Sequence, residues 1–302
     1  MSFSSDAKDE ICTTAAKDCC IMAEFFAITF VCGNLSINSL GVHINYHTEN
    51  MAVAKRIYST TTRILKLDAD IEVKDNLLKK KHTYTIVVNN AELLLSTLGM
   101  GKNLFATTVP PDYMLKKSCC RTSILRGAFL GCGSVSNPKK NYHLEFVVNS
   151  EEFANTLLKI LQDFEINAKK IIRKQNFVVY LNEGDSIATL LTLIGAHTSI
   201  LNFENVRVLK EMRNNVNRAV NCETANIDKT INAAMTQLHS IRLIDKNLGI
   251  ENLKEPLRQA AQLRLENPDA TLLELCALCD TTKSGMNHRL RKLNEIAQKY
   301  LE

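Results

Sequence analysis

Apolar and polar positions repeat in order along the first two thirds of the chain. An apolar run near 20–32 predicts a helix, and another near 120–132 predicts its counterpart. Each ends in a glycine, Gly33 or Gly133, placed to take the left-handed conformation that closes a helix. Alternation follows: Val42, Ile44 and Tyr46 share one strand face, as do Leu144, Phe146 and Val148. Amphipathic helices are predicted near 49–66 and 151–164. Two extended segments then lead to a last helix, near 91–98 in one block and 185–194 in the other. Pro110 and Pro111 lie between the blocks, where no helix interior or central strand can run.

A shift of one hundred residues lays one block on the other. It pairs Lys17 with Lys117, Cys19 with Cys119, Cys20 with Cys120, Cys32 with Cys132, and His43 with His143. One register held over so many cysteines and glycines marks a duplication. The expected outcome is two α/β halves related by pseudo-twofold symmetry, residues 1–100 and 119–200, joined by 101–118.

Beyond the repeat, residues 201–226 are dense in Asn and Arg and read as a helical connector. Residues 227–302 carry helical periods and predict an all-α domain. Thr271 and Glu274 have the spacing of a capping box, and Leu272, Leu275 and Leu278 follow at helical intervals. A short turn, Asp280-Thr281-Thr282, leads to the last helix. There Met286, Leu290, Leu293 and Ala297 form an apolar stripe, with Ser284, Asn287, His288 and Arg291 on the opposite face. Helix, short turn and a second helix with polar and basic residues near its start is the helix-turn-helix arrangement, whose second helix enters the major groove. Lys283, Arg289 and Lys292 add charge, so that from 281 to 300 five basic residues face the single acid Glu295. Arg suits guanine edges or phosphates, Asn suits adenine, and a serine hydroxyl suits either.

Composition narrows the class without choosing it. The 302 residues are 45% hydrophobic and 23% charged, ordinary for a globular chain of two or three domains. A net charge of +5 permits nucleic-acid binding without requiring it. No apolar stretch approaches the roughly 20 residues that span a bilayer, so no membrane partner is expected. "MSFSSDAKDE" has no basic cap leading into an apolar run, so no signal peptide is expected. Ten cysteines without an export signal suggest reduced thiols in a cytoplasm.

The segments "FFAITFVCG" (25–33) and "LRGAFLGCG" (125–133) resemble the LAGLIDADG helix of homing endonucleases, present twice as in single-chain members. The resemblance implies an α+β unit of two αββαββα halves. The two helices would pack on the axis through small residues such as Ala27 and Gly127, and two curved sheets would form a saddle over DNA. It also implies a catalytic acid before each final glycine, holding a hard divalent cation that activates water. Cys32 and Cys132 stand there instead. A thiol is a soft ligand poorly matched to magnesium, so cleavage by this mechanism is not expected, and neither is a cofactor. An active nuclease would have to recruit other acids, such as Glu24 or Glu145. Glu24 lies about two turns before Cys32, and Ile124 stands at its place in the second half.

The paired cysteines 19-20 and 119-120, with Cys32 and Cys132, invite a zinc reading. Adjacent cysteines lack the usual gap between ligands, however, and free thiols are commonly buried, so packing is favoured and no metal is expected. The same holds for Cys276 and Cys279. His43 and His143 read as symmetric structural histidines. Lys80, Lys81, Lys139, Lys140, Arg173 and Lys174 lie near predicted strand ends. With Arg213 and Arg218 of the connector they are candidate phosphate contacts.

The whole order of parts is similar to that of the bacterial WhiA family, most specifically in "MRNNVNRAVNCETAN" and "SGMNHRLRKL". That resemblance implies a nucleoid-associated regulator tied to cell division and chromosome segregation, and in some relatives to sporulation. The expectation is a non-catalytic protein bound to double-stranded DNA through Lys283, Ser284, Asn287, His288, Arg289, Arg291 and Lys292. Other regulators of transcription or division are candidate partners. An endonuclease, or a saddle serving only as a protein-interaction scaffold, are the competing readings.

Overall fold

A helix that the apolar pattern did not single out opens the chain in the computed structural model, which describes residues 2–38, 41–76, 81–100 and 109–300. This helix, α1 (Phe3–Ile11), is capped by the Ser2 hydroxyl, which accepts from the Ser5 N–H at 3.2 Å. Phe3, Ala7 and Ile11 recur every four residues and face the core, Ala7 and Ile11 fully buried.

The two blocks then fold alike. In the first, α2 (Asp18–Cys32) passes directly into β1 (Gly33–Asn38) and β2 (Gly41–Thr48), and α3 (Met51–Ser59) continues into a π-helical turn at Thr60–Ile64. Strands β3 (Ala69–Asn76) and β4 (Lys81–Val88) and helix α4 (Ala91–Thr97) complete it. After α5 (Asp112–Lys116), the second block repeats the order with α6 (Ser118–Cys132), β5 (Gly133–Val135), β6 (Leu144–Val148), α7 (Glu151–Asp163), β7 (Lys169–Arg173), β8 (Asn176–Leu181) and α8 (Gly184–Ile194). Each half carries a four-stranded antiparallel sheet, ordered β1-β2-β4-β3 and β5-β6-β8-β7. The alternation is borne out: Ile44 and Tyr46 pair with Val88 and Ile86, and Leu144 and Phe146 with Leu181 and Val179, all buried under the helices.

Gly33 and Gly133 do not take the expected left-handed conformation. Their φ values are −75° and −78°, ordinary extended backbone, because helix runs into strand with no turn between. Crowding excludes a side chain instead: a Cβ on Gly33 would lie 2.4 Å from the Thr29 carbonyl oxygen, and one on Gly133 2.6 Å from Phe129.

Helices α2 and α6 pack against each other at the centre of this unit. A Cβ on Gly127 would fall 2.1 Å from the Glu24 carbonyl oxygen, so only glycine allows the two backbones to approach this closely. Glu24 itself is buried, its carboxylate gripped by Arg56 at 2.6 and 2.9 Å and faced by Arg126 at 3.6 Å.

The Asn- and Arg-rich stretch forms part of one long helix, α9 (His197–Asn247). Its first turn is capped from a distance: Glu10 on α1 accepts from the Thr198 N–H and from the Ser199 N–H and hydroxyl, both Ser199 contacts at 2.9 Å. Every residue from 211 to 233 is exposed.

The chain divides into two compact units, 1–210 and 211–302. In the second, α10 (Glu255–Glu266), α11 (Leu272–Leu278) and α12 (Lys283–Gln298) enclose a core of Ile241, Ile244, Ala260, Ala261, Leu275 and the α12 stripe Met286, Leu290, Leu293 and Ala297. Leu278, expected on the apolar face of α11, is 56% exposed. The face that packs is Leu272, Leu275, Cys276 and Cys279, one step around the helix, so the Cys276 and Cys279 pair does serve packing.

Candidate nucleic-acid interface

The second unit builds its surface from local rules. Thr271 caps α11 in a complete capping box, its hydroxyl accepting from the Glu274 N–H at 3.3 Å while Glu274 accepts from the Thr271 N–H at 2.7 Å. Asp280 turns the chain with φ of 45°. The Thr282 hydroxyl then accepts from the Gly285 N–H at 3.1 Å and starts α12. With its stripe buried, α12 presents Ser284, Asn287, His288 and Arg291 to solvent along one face. Lys283 and Lys292 are exposed on either side. Arg289 departs from this set: it is only half-exposed, and its guanidinium donates to Gln259 on α10 at 3.4 Å. Glu295 pairs with Arg291 at 3.4 Å and Lys292 at 3.0 Å, and the Lys292 contact leads in holding its pKa below the usual carboxylate range.

The candidate phosphate contacts of the first unit differ in their freedom to act. Lys139, Lys140 and Lys174 are exposed, as are Arg213 and Arg218 on α9. Arg173 is engaged, donating twice to Glu145 at 3.2 Å. Lys80 lies outside the described residues, and of Lys81 only its place at the start of β4 is described.

The centre where the resemblance would place paired acids is chemically different. Cys32 donates its thiol hydrogen to the Ile28 carbonyl at 3.1 Å, and Cys132 donates to Ala128 at 3.2 Å, each four residues back along its own helix. Burial pushes both thiols up to about 12, so both are neutral at physiological pH. Lys8 of α1 reaches in beside them, donating to the Leu130 carbonyl at 3.1 Å and lying over the Phe129 ring. Burial lowers its pKa, while its electrostatic interaction with Cys132 and Cys32 acts the other way. A primary amine and two protonated thiols therefore occupy this place. None is a hard oxygen donor, and the set does not fit magnesium or calcium.

The other acids a nuclease would need are tied elsewhere. Glu24 is locked between Arg56 and Arg126. Burial raises the pKa of Glu145, but hydrogen bonds from Arg173 and His143 outweigh it and hold the carboxyl below its ordinary value. His43 is buried against Asn89 at 2.9 Å and His143 bonds Glu145 at 3.3 Å, which suits the structural reading of both. Lys8 was not legible as a site residue. The period-four apolar spacing of Phe3, Ala7 and Ile11 was the one signal for its helix.

A duplicated LAGLIDADG-like α+β unit followed by a helix-turn-helix domain defines the class. Residues 18–100 match the family described as the WhiA N-terminal LAGLIDADG-like domain, 121–213 the WhiA LAGLIDADG-like domain, and 216–297 the WhiA C-terminal HTH domain. The "Probable cell division protein WhiA" of Brevibacillus brevis is 44% identical over 310 residues, covering 100% of this chain and 98% of that one. The protein of the same name from Bacillus subtilis is 41% identical over 305 residues, covering 99% and 96%. The crystal structure of full-length WhiA from Thermatoga maritima superposes with a TM-score of 0.62 at 27% identity, covering 99% of each chain. The chain belongs to the WhiA family.

Proposed function

We propose that this protein is a sequence-specific binder of double-stranded DNA that regulates cell division and has no nuclease activity. The observation that carries the reading is the exposed row Ser284, Asn287, His288 and Arg291, held by a buried stripe and a capped turn on the second helix of a helix-turn-helix. Such a helix presents forked and amide donors at the spacing of base edges in the major groove. Lys283 and Lys292 flank that row for phosphates, while Arg289 acts by fixing α12 against α10. Lys139, Lys140, Lys174, Arg213 and Arg218 add sequence-independent attraction. Relatives named as probable cell division proteins support the setting. Within it we assign transcriptional control, with chromosome segregation and, in relatives, sporulation as its outputs, exerted at the nucleoid and with other regulators as partners. The neutral thiols at 32 and 132 and the amine of Lys8 support the absence of cleavage.

Genome-wide occupancy followed by footprinting tests this. Asn287→Ala with Arg291→Ala is expected to weaken specific binding by roughly 1–3 kcal/mol per lost base contact while leaving the fold intact. Unchanged footprints in the double variant would refute the reading helix. Plasmid nicking by the wild type with magnesium or manganese, abolished by Cys32→Ala with Cys132→Ala, would overturn the non-catalytic assignment.

A further inference from the structure

Four sulfurs converge at the opposite end of the axis helices from Cys32 and Cys132. Cys19 and Cys20 lie in the first turn of α2, and Cys119 and Cys120 in the first turn of α6. Their four Sγ atoms all lie within 4.8 Å of one another, with Cys19 and Cys20 at 4.0 Å. An ion held by four thiolates at about 2.3 Å places its sulfurs about 3.8 Å apart in a tetrahedron. Side-chain shifts of under about 1 Å would close that gap, well within rotamer adjustment. Adjacent cysteines in one segment lack the gap of a zinc-binding loop, which is why the sequence favoured packing. Duplication supplies what one segment cannot: each half brings two sulfurs, and the pseudo-twofold axis brings the pairs together.

Both cysteine pairs sit in the first turn of a helix, where the helix dipole favours negative charge. Lys17 and Lys117 are the N-cap residues, separated from each pair only by Asp18 and Ser118. Cys20 and Cys120 are buried, Cys19 is half-buried and Cys119 is exposed, so the cluster is closed within and open at one edge for an ion to enter.

We propose that Cys19, Cys20, Cys119 and Cys120 form a tetrathiolate site for one thiophilic divalent ion, zinc in the first instance, which clasps the two halves of the N-terminal unit. Four soft donors select zinc or iron over magnesium. The site lies about 20 Å along α2 from Cys32, given 1.5 Å of rise per residue, and takes no part in phosphodiester chemistry. It stands independently of the DNA reading.

Metal analysis of the full chain, purified under reductant and without chelator, tests the site. One zinc per chain is expected, lost in Cys119→Ser with Cys120→Ser and retained in Cys276→Ala with Cys279→Ala. One iron per chain without inorganic sulfide, lost in the same double variant, supports the site with iron as its ion. Cobalt titration of the reduced wild type gives a reading that does not depend on any variant folding, namely the thiolate-to-cobalt charge-transfer band of a tetrahedral sulfur site. The proposal fails if the reduced chain takes up neither zinc nor cobalt from equimolar solution. It fails equally if the double variant keeps its full metal content, or if iron comes with inorganic sulfide as a cluster.

Discussion

The thiols of Cys32 and Cys132 point their hydrogens back into their own helices, and this fixes how the N-terminal unit responds to pH. Their folded-state pKa values, about 12, lie above the ordinary thiol value of 9.0. The folded state therefore holds these protons more tightly than the unfolded chain, and the stabilisation is complete below pH 9.0. It is lost as pH rises from there towards 12. Cys12, also pushed up to about 12 by burial, adds to the loss. Lys8 acts oppositely, because its lowered pKa means that rising pH relieves the cost of a buried ammonium. Lys8 therefore offsets part of the thiol effect, and comparison with a variant that lacks the two thiols isolates it. Thermal midpoints across this range should change less favourably with rising pH for the wild type than for Cys32→Ala with Cys132→Ala. Parallel slopes in the two proteins would contradict the assigned protonation states. At neutral pH the exposed Cys222 should alkylate well before the half-buried Cys32 or Cys132.

At the scale of elements, the closeness of α2 and α6 rests on Gly127. Adding one methyl there meets the Glu24 carbonyl and the Ala27 side chain, so the helices must part. Gly127→Ala should cost about 1–3 kcal/mol, visible as a lower denaturation midpoint of the first unit alone. The duplication, the two strand faces and the α12 stripe were legible because each is a period in the sequence carried over several residues. What escaped did so for local reasons. Helix α1 has only three apolar positions, and its cap is a single Ser2. The conformations of Gly33 and Gly133 depend on a helix running straight into a strand, which no period announces. On α11, two turns hold too few residues to separate a Leu272, Leu275, Leu278 stripe from the one using Cys276 and Cys279. The paired cysteines were visible, but they read as packing because their sulfurs come together only when the two halves pair.

Under the proposed function, the whole molecule would offer DNA one base-reading helix in the second unit and scattered positive charge elsewhere, and salt can tell whether the first unit touches the duplex. The outer sheet faces are not uniformly basic: Arg173 is matched by Glu145, and Lys74 lies 4.0 Å from Glu72. Contact by the first unit would therefore come from Lys139, Lys140 and Lys174, whose side chains are exposed. Each phosphate neutralised lowers the slope of log affinity against log salt by about 0.9. Substituting these three lysines by Ala should make the slope shallower by up to about 2.7 while leaving the footprint of α12 in register. Arg291→Ala should do the reverse, changing the footprint with little effect on the slope beyond a single contact. If the triple lysine variant keeps the wild-type slope, the LAGLIDADG-like unit does not grip DNA in the complex. Its retained fold would then serve as a platform for partners, while α12 alone sets both affinity and address.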